Sequence, residues 1–252
     1  MQFEKKVALV TGGSTGIGRE TALDFAQKGA KVVVADVNDA EGANTVAQIE
    51  KAGGEAIFVH ADVSKDKEAR SMVDESIAHF GRLDYACNNA GIEGVSAPTA
   101  EMKVADWNKV IGVNLNGVFL SMKYEIPEML KAGGGAIVNV ASILGKVGFA
   151  NASAYTAAKH GVIGLTKASA LEYSAQGIRV NAACPAFIIT PMLERAGITS
   201  NDEIRAAMEA MHPIGRMGQP EEVAKTITWL CSDDASFVSG EALLVDGAYV
   251  AQ

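Results

Sequence analysis

Three residues between positions 142 and 159 carry side chains that can hold and move a proton. Ser142, Tyr155 and Lys159 occur in the segment SILGKVGFANASAYTAAK. A spacing of four puts Tyr155 and Lys159 on one face of a helix. An ammonium about 4 Å from the phenol, at an effective dielectric near 20, supplies about 4 kcal/mol in favour of the phenolate. That energy would bring a tyrosine pKa from about 10 to about 7, so the pair predicts a proton-exchanging tyrosine, although the same spacing is common on ordinary helix surfaces.

Length and composition indicate the kind of protein that carries these residues. The chain has 252 residues, 48% of them hydrophobic, which predicts a single domain over 1–252. A net charge of −8 argues against a nucleic-acid partner. No apolar run approaches the roughly 18 residues of a membrane span and no secretory leader is visible, so we expect a cytoplasmic protein without a membrane partner. Three separated cysteines and four histidines lack ligand spacing, which predicts free thiols and no metal.

Seven short strand-like runs alternate with longer amphipathic segments. The runs are KVALV, KVVVA, AIFVH, LDYAC, AIVNV, IRVNAA and ALLVD, which begin at positions 6, 31, 56, 83, 136, 178 and 242. Gly29, Gly53 and Gly81 follow the last apolar turn of the first three helical segments, as is typical of helix ends. This alternation predicts an α/β fold, a Rossmann-like doubly wound parallel sheet with helices on both faces and the ligand at the carboxyl ends of the strands. Ser142 follows the fifth run and so belongs to that edge.

A glycine-rich turn follows the first strand. The segment TGGSTGIG places Gly12, Gly16 and Gly18 between the strand and a helix. Glycine allows a tight turn and lets backbone amides and the helix N-terminus approach a pyrophosphate. The spacing differs from the G-x-G-x-x-G fingerprint, and a turn of this kind can also be a simple tight connection.

The second strand ends in an acid. Asp36 lies 20 residues beyond Gly16, the distance expected of the carboxylate that binds an adenosine ribose. It would accept hydrogen bonds from the 2′-hydroxyl and repel a 2′-phosphate, and neither Thr15 nor Val37 is basic. We therefore predict NAD as the cofactor in preference to NADP. The alternative is an aspartate that only caps a helix or a turn.

Taken together, the motifs resemble those of the short-chain dehydrogenases/reductases, a family with chains of about this length. The resemblance covers nearly the whole chain. It is carried by TGGSTGIG at 11–18, Asp36, ADV at 61–63, NNAG at 88–91, VNLNG at 113–117, Ser142, YTAAK at 155–159, CPAFIITPM at 184–192 and SGEALLVDGA at 239–248.

The resemblance implies roles for individual residues. Asn114, Ser142, Tyr155 and Lys159 would be catalytic, with Asn114 holding a water that extends a proton path from Lys159; Asn116 is a competing assignment. Asp62 and Val63 would contact the adenine, the segment 89–91 the cofactor ribose, and Ile188 and Thr190 the carboxamide. The expected cofactor-binding set is Gly12, Ser14, Thr15, Gly16, Ile17, Gly18, Asp36, Val37, Asp62, Val63, Asn89, Ala90, Gly91, Tyr155, Lys159, Pro185, Ile188 and Thr190.

The substrate side is expected at a lid over 187–217. Glu93, Ser142, Ile143, Leu144, Phe187 and Met192 are the candidate substrate contacts, with Gly94, Leu193, Met208 and Met211 also available. The chain has Ala186 where the family usually has glycine, which alanine can replace only at negative φ. The apolar bias favours a hydrophobic or cyclic alcohol or ketone and leaves sugars and polyols open.

The resemblance implies an NAD-dependent oxidoreductase that interconverts a secondary alcohol and its ketone, with Tyr155 as general acid and base. Two alternatives stay open: a catalytically silent nucleotide sensor or scaffold, and an epimerase or dehydratase that retains its NAD. A homo-oligomer, a tetramer by the family's habit, is expected because the helix after Tyr155 is rich in small and apolar residues on more than one face.

Overall fold

In the computed structural model, which describes residues 2–195, 197 and 201–251, seven parallel strands form one sheet in the order β3-β2-β1-β4-β5-β6-β7. The strands are β1 Val7–Thr11, β2 Lys31–Asp36, β3 Glu55–His60, β4 Tyr85–Asn88, β5 Gly135–Val140, β6 Ile178–Pro185 and β7 Ala242–Val245. All seven predicted strands are confirmed to within two residues at each end. The doubly wound α/β prediction is thereby confirmed as well.

Helices cover both faces of this sheet. They are α1 Gly16–Gln27, α2 Asp39–Lys51, α3 Asp66–Phe80, α4 Val104–Ile111, α5 Gly117–Lys131, α6 Ser153–Tyr173, α7 Pro191–Arg195, α8 Asp202–Ala210 and α9 Pro220–Cys231. Buried side chains of α3, α5 and α6 pack on one face, and those of α1, α2 and α9 pack on the other. Because both faces are covered, the strands are mostly apolar on both sides, as expected of a parallel sheet.

The order of the strands reverses between β1 and β4. From β1 the chain builds outward through β2 and β3, then crosses to the other side of β1 and continues through β4 to β7. The two connections leave in opposite directions at this point, which opens a crevice at the carboxyl ends of β1 and β4. The Asn89 side chain spans the crevice by donating hydrogen bonds to the carbonyls of Thr11 at 3.1 Å and Gly12 at 3.0 Å.

A π-helical turn at Gly112–Asn116 joins α4 to α5, and Asn114 lies at its centre. All three cysteines are buried and free, as predicted. Within the described ranges, no helix is both long and apolar enough to cross a bilayer.

Candidate active site

A cleft runs along the carboxyl ends of the strands. Its two adjoining parts have volumes of about 470 Å³ beside β1, β2 and β3 and about 270 Å³ beside β5 and β6. Both parts are lined by Ile17, Asn89, Gly91, Thr190 and Met192. The cleft therefore joins the predicted nucleotide residues to the predicted catalytic ones.

The glycine-rich turn forms the floor of the larger part. Gly12 has φ +63°, and a Cβ there would lie 2.8 Å from Asn89 Nδ2. A Cβ on Gly18 would lie 2.0 Å from the Gly12 carbonyl oxygen. Gly18 does not line the cleft; it allows the start of α1 to pack against the turn, and so it supports the site from behind.

Asp36 is both a turn residue and a wall of the cleft. Its Oδ2 accepts hydrogen bonds from the Ser14 amide at 3.1 Å and the Ser14 hydroxyl at 2.6 Å, and its Oδ1 accepts one from the Asn38 amide at 3.1 Å. Asn38, not Asp36, caps α2. The carboxylate is thus held rigidly against the glycine-rich turn.

The three residues predicted to hold and move a proton meet in the smaller part of the cleft. Ser142 follows β5 and caps a short turn by accepting a hydrogen bond from the Leu144 amide at 3.1 Å. Tyr155 lies in the first turn of α6, and Lys159 follows one turn later with its Nζ 5.5 Å from the centre of the phenol ring. The Lys159 ammonium donates a hydrogen bond to the Val140 carbonyl at 2.7 Å. All three side chains line the cavity.

The expected lowering of the Tyr155 pKa is not found in this cleft. Burial raises the pKa of Tyr155 to about 12, Ser142 opposes the rise by hydrogen bonding, and the Glu93 charge adds to it. Burial also lowers the pKa of Lys159 to about 8. The sequence estimate was wrong because it counted the ammonium and omitted desolvation, which penalises the charged form of each group.

Asn114 is completely buried behind the cleft and does not line it. Its Oδ1 accepts a hydrogen bond from the Ile92 amide and its Nδ2 donates one to the Ile92 carbonyl, both at 2.8 Å. A Cβ on Gly91 would lie 3.4 Å from Asn114 Oδ1 and 3.7 Å from Lys159 Nζ, so Asn114 sits directly behind Gly91 and near the ammonium. Its amide group fixes the loop after β4.

Most other predicted site residues line the cleft. The larger part is lined by Gly12, Ser14, Thr15, Gly16, Ile17, Asp36, Val37, Asp62, Val63, Asn89, Ala90, Gly91 and Thr190. The smaller part adds Glu93, Ile143, Leu144, Pro185, Phe187 and Ile188, and Met192 lines both parts. Residues that sequence reasoning did not single out for the cleft include Asn38, Ile92, Val113, Ala152 and Arg195. Apart from Val113, which begins the VNLNG motif, they carry no motif, and only the fold brings them there.

Of the predicted lid segment, residues 187–195, 197 and 201–217 are described, while Ala196, Ile198, Thr199 and Ser200 lie outside the described residues. Phe187, Met192 and Leu193 line the smaller part of the cleft; in the described structure Met208, Met211 and Gly94 line neither part. Ala186 is absent from the positive-φ residues, so alanine is accommodated as expected.

The cleft fits a dinucleotide. Crowding at Gly12 keeps side chains out of the floor, the N-terminus of α1 offers free amide groups to a pyrophosphate, and Asp36 offers a carboxylate to a ribose. From there the cleft leads to Tyr155 and Lys159. Gly12, Ser14, Thr15, Gly16, Ile17, Asp36, Asn89, Gly91, Ile188 and Thr190 would hold the group.

Comparison with known proteins agrees with this geometry. Residues 12–249 match the family model described as enoyl-(acyl carrier protein) reductase. The chain is 49% identical to cyclohexanol dehydrogenase of Acinetobacter sp. (strain SE19), covering 100% of this chain and 97% of that one. It is 48% identical to cis-4-hydroxycyclohexanecarboxylate dehydrogenase of Sinomonas cyclohexanicum, covering 99% and 98%.

A crystal structure of levodione reductase superposes with a TM-score of 0.94 at 39% identity, covering 99% of each chain. The family model, the relatives and the superposition extend over nearly the entire sequence, and the motifs at the cleft are those on which the resemblance was based. The chain belongs to the short-chain dehydrogenase/reductase family.

Proposed function

We propose that the protein is an NAD-dependent oxidoreductase that interconverts a cyclic secondary alcohol and its ketone. The observation that carries this proposal is the meeting of Ser142, Tyr155 and Lys159 in an apolar cavity that opens into the cleft holding Asp36. Dehydrogenases of this family use nicotinamide cofactors. The single-domain organisation over 1–252, with its lid at 187–217, is part of the same proposal.

In the proposed reaction Tyr155 is the acid for ketone reduction and the base for alcohol oxidation. Ser142 donates a hydrogen bond to the substrate oxygen and holds it beside the phenol. Lys159 stabilises the phenolate from one turn further along α6, anchored by the Val140 carbonyl. A bound nicotinamide would accept or supply the hydride and, when oxidised, would add the positive charge that offsets the desolvation of the phenolate.

Asn114 is proposed to support the proton path through its backbone. Both polar atoms of its side chain are engaged by Ile92. Its position in a π-helical turn takes nearby carbonyl groups out of the regular i→i−4 pattern. A main-chain carbonyl near Asn114, not the amide group, would therefore accept a hydrogen bond from the water that extends the path from Lys159.

Apolar side chains dominate the wall around the proposed reacting atoms, and they support a ring-shaped hydrocarbon substrate. Ile143, Leu144, Phe187 and Leu193 line this cavity. The relatives named above are a cyclohexanol and a hydroxycyclohexanecarboxylate dehydrogenase. We therefore propose cyclohexanol-like alcohols as the first substrates to test.

The test is a panel of cyclic and linear secondary alcohols, diols, sugars and hydroxysteroids with NAD or NADP, followed by the absorbance of reduced nicotinamide. We expect turnover of cyclic alcohols. Because the family model carries the description of an enoyl reductase, an enoyl thioester with NADH is included. Turnover of the thioester without turnover of any alcohol would favour that second function.

Two further readings are tested by the same panel. A nucleotide sensor or scaffold would bind NADH and turn over no alcohol or ketone. An epimerase or dehydratase would convert its substrate without net change in NADH. The assembled Ser142, Tyr155 and Lys159 argue against the sensor, because nucleotide binding alone does not need them.

Asp36 is expected to make NAD the better cofactor. Its carboxylate, fixed by Ser14, would repel a 2′-phosphate, so we expect kcat/KM with NAD to exceed that with NADP by at least about tenfold. Asp36→Asn keeps an acceptor for Ser14 and removes the charge, so this ratio should fall in the variant. Equal or better turnover of the wild type with NADP would contradict the assignment.

A homotetramer is proposed from apolar side chains left exposed on the outer helices. Leu171 of α6 is 88% exposed and Phe119 of α5 is 50% exposed, and Phe237 beyond α9 is fully exposed. Burying these side chains between subunits would remove apolar surface from water, which favours association. Sedimentation as a monomer at assay concentration would contradict this proposal.

A further inference from the structure

The loop after β4 puts a carboxylate into the wall of the apolar cavity. Glu93 is the only acidic side chain among the described residues that line this part of the cleft. Apart from the catalytic groups, most of its neighbours there are apolar, among them Ile143, Leu144, Phe187 and Leu193. Glu93 is exposed to solvent, so it lies where the cavity opens. A substrate bound in this cavity therefore lies beside a charged wall residue.

The backbone on both sides of Glu93 is fixed. Ile92 is held by its two hydrogen bonds with the buried amide of Asn114. Gly94 has φ +78°, and a Cβ there would lie 2.4 Å from Val110 Cγ2. The loop is therefore seated against α4 and the π-helical turn, and Glu93 is presented to the cavity by a rigid support.

The Glu93 carboxylate is available to a ligand. Throughout 2–195, 197 and 201–251, no side chain or amide forms a hydrogen bond or an ion pair with it. Its charge nevertheless acts at the reacting end of the cavity, where it contributes to the raised pKa of Tyr155. An unpaired carboxylate can accept a charge-assisted hydrogen bond from a hydroxyl and repels a second carboxylate.

We propose that Glu93 is a specificity-determining residue that selects cyclic secondary alcohols and ketones carrying a second hydroxyl and rejects those carrying a carboxylate. The assignment rests on the proposed oxidoreductase function, because it concerns the same cavity. It combines attraction of one substrate class with repulsion of another, the usual basis of specificity. The remote hydroxyl would bond Glu93 while the reacting hydroxyl meets Ser142 and Tyr155.

The test compares substrates in pairs. A general loss of activity in a variant lowers kcat/KM for both members of a pair and therefore leaves their ratio unchanged. The first pair is cis-4-hydroxycyclohexanecarboxylate, the named substrate of one relative, and its neutral amide. The second pair is cyclohexane-1,4-diol and cyclohexanol. For the wild type we expect kcat/KM to favour the amide over the carboxylate by about tenfold and the diol over cyclohexanol by a few-fold.

Glu93→Gln should bring the amide-to-carboxylate ratio to within about twofold of unity and should reduce the preference for the diol. The pH profile for alcohol oxidation should also move to lower pH, because the charge that raises the Tyr155 pKa is gone. Glu101→Gln is the matched control: Glu101 is exposed on the same connection and lines neither part of the cleft, so both ratios should stay at the wild-type values.

Unchanged ratios in Glu93→Gln would overturn the assignment of Glu93 while leaving the proposed function intact. A wild-type enzyme that oxidises none of the four alcohols would overturn the proposed function itself, and the assignment with it. A wild type that prefers the carboxylate would also exclude the assignment.

Discussion

Replacing Tyr155 by Phe is expected to lower kcat by about 10³-fold or more, within the range lost when a general acid or base is removed. The variant keeps the ring at the start of α6 and loses only the hydroxyl that is proposed to exchange the proton. NADH should still bind with a Kd within about threefold of the wild type, since most of the contacts proposed for the nucleotide come from the glycine-rich turn and Asp36. Steady-state rates with cyclohexanol and a fluorescence titration with NADH measure the two effects separately.

Tyr173→Phe is the matched control. Tyr173 ends the same helix and packs against the core, away from both parts of the cleft. It should retain the wild-type rate. If Tyr155→Phe retained it as well, the proton would have to come from another group and the mechanism would be excluded.

The second large effect is expected on the free energy of unfolding, and it comes from a buried glutamate below the cleft. Glu125 of α5 is fully buried, and its Oε2 accepts a hydrogen bond from Asn88 Nδ2 at 3.1 Å. Its Oε1 and the Oδ1 of Asn88 are buried without a partner. Burial raises the pKa of Glu125 to about 8 from an ordinary value of 4.5. At neutral pH the folded protein therefore holds this side chain as the uncharged acid.

The direction in which pH changes the free energy of unfolding follows from the protons bound by the folded and unfolded states. Between about pH 4.5 and 8 the folded state retains the Glu125 proton and the unfolded state has lost it, so the free energy of unfolding falls as pH rises. The loss approaches 1.4 kcal/mol per pH unit and sums to about 4–5 kcal/mol over this window. Above about pH 8 this contribution stops falling.

Glu125→Gln should remove that loss. Its amide stays neutral, so the variant should gain stability relative to the wild type on going from roughly pH 5 to roughly pH 8, by up to about 4 kcal/mol. Urea unfolding at the two pH values and one protein concentration measures the difference. Lys159, with its pKa lowered to about 8, adds its own pH dependence above that value, so higher pH is avoided.

Glu128→Gln, one turn away on α5, is the control for this experiment. Glu128 pairs with Lys131 at the surface and should leave the pH dependence as in the wild type. If Glu125→Gln and Glu128→Gln lost stability equally between the two pH values, Glu125 could not be the group that stays protonated in the folded protein.

Sequence patterns predicted the fold because each strand is a short, mostly apolar run and each of the first three helices is followed by a glycine. The same strand and helix boundaries placed four site residues at one edge of the sheet. Gly12, Asp36 and Ser142 come at or just after the end of a predicted strand, and Tyr155 lies at the start of a predicted helix. The topology then brings those positions to one cleft. Local patterns were sufficient here because parallel strands share the direction of their carboxyl ends.

Sequence reasoning was insufficient wherever the surroundings of a side chain decide its behaviour. The Tyr155 pKa depends on burial, which spacing does not reveal. Asn114 could have faced solvent on a regular helix, and only the π-helical turn and the Ile92 backbone explain its burial. Glu125 carries no motif at all, and the segment YEIPEML also contains Glu128, so the sequence does not show which of the two acids is buried.

Transfer of deuterium from C1-deuterated cyclohexanol to NAD tests the central claim most directly. Because Tyr155 and Ser142 are proposed to handle only the hydroxyl proton, the deuterium at C1 should leave with the electron pair of its C–D bond, as deuteride, and add to NAD. We expect NADH labelled at C4 by NMR and one equivalent of cyclohexanone, with no label in the water. Unlabelled NADH, or no NADH with any alcohol tested, would contradict the proposed reaction.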